Sequence, residues 1–188
     1  MKKGWTTTKL ASIGGLAVLD VALKLVGAGF QAATGLVGLG GITNGFLTPA
    51  MVMFCLLTIN QFGAATIMLT LHGILVLPLP ISGTPGFLGK VPIQFVGGLL
   101  ADILYLFLRK NKKRASLIIG GVLMLYLGFA IVQAGQFFKI PGIEWTAKMF
   151  YTPPVLALAV IVGAIGGYLG FYIYEKIKNT SVVKRIQQ

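Results

Sequence analysis

"VLALAVIVGAIGGYLGFYIY", residues 155–174, carries no charged side chain over twenty positions. At the 1.5 Å rise of an α-helix such a run reaches about 30 Å, the thickness of a bilayer's hydrocarbon core. It is apolar on every face, whereas a helix half in water keeps one polar side. Pro153 and Pro154 stand where a helix accepts proline, in its first turn, and Glu175 and Lys176 stand where it ends. The segment reads as a membrane-spanning helix.

The composition extends that reading to the whole chain. Of 188 residues, 56% are hydrophobic and 11% charged, with a mean hydropathy of +0.87; soluble domains average about a quarter charged. Five further apolar runs precede the first. The expectation is an all-α membrane protein, a compact bundle of six helices at about 7–28, 46–60, 63–79, 91–108, 116–138 and 154–175. These spans consume most of the length, so residues 1–188 form a single integral membrane domain without an appended ATPase. The first run is not a cleaved signal, because Asp20 and Lys24 interrupt it. Four apart, they share one helical face and can pair. The stretch between the first two helices, 29–45, is rich in glycine and reads as a flexible connection.

Charge sets the orientation. With a cytoplasmic start and six crossings, Lys2, Lys3 and Lys9, then "RKNKKR" at 109–114, then Lys176, Lys178, Lys184 and Arg185 all fall inside. That obeys the positive-inside rule and places both termini in the cytoplasm, in a multi-pass protein of the cell membrane. The net charge of +12 is then a topology signal and an attraction to anionic membrane lipid. A tight loop between spans offers no element that reads bases, so no nucleic acid is expected.

"SGTPGFLGKVPIQF", residues 82–95, looks like a phosphate cradle, but the spacing fails. Thr84 stands where the first glycine belongs, and Val91 where a hydroxyl would hold magnesium. Cys55 is the only cysteine and His72 the only histidine, and no spacing of acids suits a metal or a catalytic centre. No cofactor, metal or enzymatic activity is expected.

The polar residues inside the runs lie at one depth. Asp20 and Lys24 fall in the outer half of the first helix, His72 past the middle of the third, Lys90 and Gln94 at the outer end of the fourth, and Gln133 and Gln136 at the outer end of the fifth. Ionisable groups in a bilayer are costly and usually face a protein interior or a watery cavity. Their convergence suggests a cavity open to the outside, walled by Glu144, Trp145, Lys148, Phe150 and Tyr151 of the last outer loop. Trp145 and Tyr151 would equally suit the aromatic belt at a headgroup boundary. Asp102 lies near the inner end and reads as a structural acid within reach of the basic loop. Small residues four apart, Ala11 with Gly15, Gly163 with Gly167 and Gly166 with Gly170, allow close helix approach, within the bundle or against a partner.

In its length, its glycine-rich first connection, its short turn at 60–63 and the glycine-rich, proline-bearing start of "FLGKVPIQFVGGLLADILY", the chain resembles the substrate-binding S components of energy-coupling factor (ECF) transporters. The resemblance implies capture of a vitamin-like small molecule from outside, and delivery through a transmembrane coupling protein and a pair of ATPases. The family's binding regions fall on Asn44, Lys90, Gln94, Glu144, Trp145 and Tyr151, to which the depth argument adds His72 and Gln133. Ala11 and Gly15 match the position of the family's small-residue contact to the coupling protein. The alternative is a small channel or an assembly subunit that takes no ligand.

Overall fold

The computed structural model describes residues 4–34, 39–81, 84–140 and 143–187. These form eight α-helices and no strand: α1 (Thr7–Thr34), α2 (Leu39–Ile59), α3 (Ala64–Leu75), α4 (Lys90–Leu108), α5 (Lys112–Phe137), α6 (Ile143–Phe150), α7 (Pro153–Ile177) and α8 (Ser181–Gln187). The chain is thus all-α. Thr7–Phe30 of α1, together with α4, α5 and α7, makes four helices long and apolar enough to cross a membrane; the apolar parts of α2 and α3, Gly45–Ile59 and Ala64–Leu75, are shorter.

The glycine-rich connection is more helical than its composition suggests. α1 continues through Gly27 and Gly29 to Thr34, and α2 begins at Leu39, with 35–38 outside the described residues. Glycine costs a helix about 1 kcal/mol, whereas an unpaired backbone group in an apolar setting costs several, so the helix persists. The earlier start leaves Pro49 inside α2 rather than in its first turn. Two short helices also lie outside the expected six: α6 in the connection between α5 and α7, and α8 at the C-terminal end.

Glycine geometry positions the helices. A Cβ on Gly163 or Gly167 would overlap the carbonyl of Gly120 or Ser116 on α5, and one on Gly166 or Gly170 would overlap that of Phe46 or Ala50 on α2. The two glycine pairs of α7 therefore seat it between α5 and α2, with backbones in contact. On α4, Gly98 lies against the backbone of Ala65 and Thr66, while Gly73 of α3 lies against Lys90 and Val91, so this hairpin is close-packed at both ends. Ile13 and Ala17 of α1, Leu56 of α2, Met68 of α3, Ala101 of α4 and Leu123 of α5 belong to one core. The other face of α1 is uncovered: Ala11 and Gly15 are exposed, and nothing comes within 4 Å of a Cβ built on Gly15.

Candidate functional site

Asp20 and Lys24 pair as their spacing implies, with Lys24 Nζ 3.1 Å from Asp20 Oδ2. α1 turns this face onto α3, which inserts His72 between them. Its Nδ1 lies 2.9 Å from the same Oδ2 and its Nε2 lies 3.1 Å from Lys24 Nζ. The tautomer that satisfies both contacts carries its proton on Nδ1, facing the carboxylate, and accepts from the ammonium on Nε2. All three side chains are buried, and Asp20 Oδ1 has no hydrogen-bond partner among the described residues.

α4 adds Lys90 and Gln94, both 2% exposed. The Lys90 ammonium donates to the carbonyls of Val76 and Leu79 at 2.9 and 2.7 Å. These belong to the turns that follow α3, where the helix has ended and its last carbonyls lack helical partners. Gln94, one helical turn further on, packs its Cβ against Gly73, next to His72, and its Oε1 has no partner among the described residues. Two orphaned acceptors within this cluster are notable, because a buried polar atom without a partner costs about 1–3 kcal/mol.

A second group forms on α5 and the segments after it. Gln133 Nε2 donates to the Tyr151 hydroxyl at 2.7 Å, and the Tyr151 ring meets Phe129 and Phe150 edge-on, each at 6.0 Å between centroids. Gly128 and Gly135 make the floor for Phe150 and Ile143 of α6. Glu144 is exposed on α6.

Of the eight expected binding residues, His72, Lys90 and Gln94 thus come together in the buried cluster, and Gln133 and Tyr151 meet in the aromatic group. No hydrogen bond or ion pair among the described residues joins the two groups. The side chains of Asn44 and Trp145 lie outside the described residues. Asp102 is structural, but its partner is not the basic loop: it accepts from the backbone of Ala65 and Thr66 and from the Thr66 hydroxyl. Among the described residues no group of three metal-ligating side chains occurs. Comparison with family models, curated proteins and solved structures finds no match for this chain.

Proposed function

We propose that this protein is the substrate-capturing S component of an ECF-type importer, taking a small water-soluble, vitamin-like molecule from the outer side of the cell membrane. The observation that carries the reading is the buried cluster of Asp20, Lys24, His72, Lys90 and Gln94, drawn from three helices, in which Asp20 Oδ1 and Gln94 Oε1 lack partners. A bundle that needed only to pack would do as well with apolar residues there, since buried ion pairs rarely add stability over well-packed hydrophobes. Unmet acceptors beside buried donors are what a polar ligand uses for recognition.

Six crossings fit this reading. Gly4 and Gln187 line the same cavity, which is in keeping with an even number of crossings. α3 is only 12 residues, about 18 Å. The turns beyond it carry the chain onward, their carbonyls held by Lys90; irregular backbone at membrane depth is tolerated where protein satisfies it. On this account a coupling protein docks on the uncovered Ala11 and Gly15 face of α1, and two ATPases, absent from this chain, supply the energy.

Uptake of radiolabelled vitamins by cells expressing the chain tests the proposal. ATP-dependent accumulation only when a coupling protein and ATPases are co-expressed is the expected result. Ligand-independent ion conductance from the purified chain in planar bilayers, with no uptake, would favour the channel instead.

A further inference from the structure

Lys9 precedes Asp20 on α1 by eleven residues, about 17 Å along the helix. It is 1% exposed, yet the one hydrogen bond of its ammonium among the described residues is a long one, 3.4 Å to the Gly4 carbonyl. A buried ammonium has three donors to satisfy. Lys9 is among the residues that line a cavity of about 840 Å³, together with Trp5, Gln61, Arg109, Lys112 and Tyr174. The Arg109 side chain makes no hydrogen bond or ion pair among the described residues, and Lys112 lies over the Tyr174 ring, 5.2 Å from its centroid.

Among the described residues no carboxylate lines this cavity. The acids nearest to this end of the bundle are committed elsewhere. Asp102 is 1% exposed and accepts from Ala65 and Thr66, and Glu175 accepts from Lys178 at 2.6 Å, a bond that raises the Lys178 ammonium above its ordinary value. Three cations therefore share a space large enough for a small ligand, with more donors than the protein satisfies.

We propose that this cavity binds a phosphate group, with Lys9 and Lys112 as point charges and Arg109 as the planar fork that matches two phosphate oxygens. Trp5, 43% exposed, stands at the rim with an amphipathic ring of the type that settles at headgroup depth. The phosphate can come from an anionic phospholipid headgroup or from a soluble phosphate ester. The site is separate from the buried cluster, and neither needs the other to be correct.

Two arms of one experiment separate the sources. The full chain is placed in nanodiscs of phosphatidylcholine doped with phosphatidylglycerol, and native mass spectrometry counts the lipids it retains. The detergent-solubilised chain, carrying Trp145→Phe so that Trp5 is its only tryptophan, is titrated with inorganic phosphate and pyrophosphate. Selective retention of phosphatidylglycerol identifies a lipid; a saturable Trp5 response without that selectivity identifies a soluble phosphate. In either case Arg109→Gln with Lys112→Gln, both exposed positions, weakens binding about thirty-fold, on the scale expected for two cations beside an anionic group. Lys110→Gln with Lys113→Gln removes the same charge outside the cavity and leaves binding unchanged. The proposal is overturned if neither probe binds, if the cavity pair binds as wild type, or if the control pair loses as much.

Discussion

Asp102 of α4 accepts two hydrogen bonds from Thr66 of α3, from its backbone N–H at 2.9 Å and from its hydroxyl at 2.6 Å. Gly63, the residue before α3, has no side chain to cap the helix, so the neighbouring helix supplies the cap. Twelve residues earlier on α4, Lys90 meets the carbonyls beyond the far end of α3, itself 12 residues long. An acid at the N-terminus and a base past the C-terminus both complement the helix dipole. Asp102→Ala should destabilise the protein by about 2–3 kcal/mol and Thr66→Val by about 1, with the double variant losing less than the sum. Denaturant unfolding in detergent measures all three. Additive losses would mean that the two residues act independently.

Lys90→Met should leave the Val76 and Leu79 carbonyls without their donor, at about 1–3 kcal/mol for each buried group. Hydrogen exchange should quicken across 76–81 while α5 and α7 stay protected. Uniformly faster exchange would show instead that Lys90 supports the whole bundle.

Asp20→Asn or Lys24→Met alone should cost about 3–5 kcal/mol, because each strands a buried charge. The double variant should recover most of that loss, and thermal unfolding reads the difference. An exposed pair would cost about 1 kcal/mol or less in either variant, and a loss that small would mean that water reaches the cluster.

The glycines of α1 and α5 should part company. Gly120→Val pushes against the Gly163 carbonyl and should destabilise the α5 and α7 contact by about 3 kcal/mol or more. Gly15→Val enters open space and should leave folding unchanged. If the uncovered face docks a coupling protein, Gly15→Val abolishes coupled uptake while a purified ligand stays bound. Full uptake by Gly15→Val would place docking elsewhere.

The apolar cores of α5 and α7 were legible because an uncharged run of about twenty residues has few other homes. The Asp20 and Lys24 pair was legible because spacing on one helix is local geometry, as were the glycine pairs of α7. What escaped is tertiary. Thr66 and Asp102 are 36 residues apart, and Lys9 and Arg109, 100 apart, share a cavity only once the bundle is built. Their charges read along the chain as a topology signal. α1 outran its expected end because glycine weakens a helix by only about 1 kcal/mol and does not by itself end one.

Native mass spectrometry of the purified chain, followed by denaturing release and identification of any bound molecule, tests capture most directly, with Gln94→Ala beside the wild type. Capture predicts one polar small molecule per chain, lost in Gln94→Ala although that variant keeps a cooperative unfolding transition. A wild-type protein that is empty, and whose unfolding temperature and tryptophan fluorescence respond to no member of a vitamin panel, would contradict it.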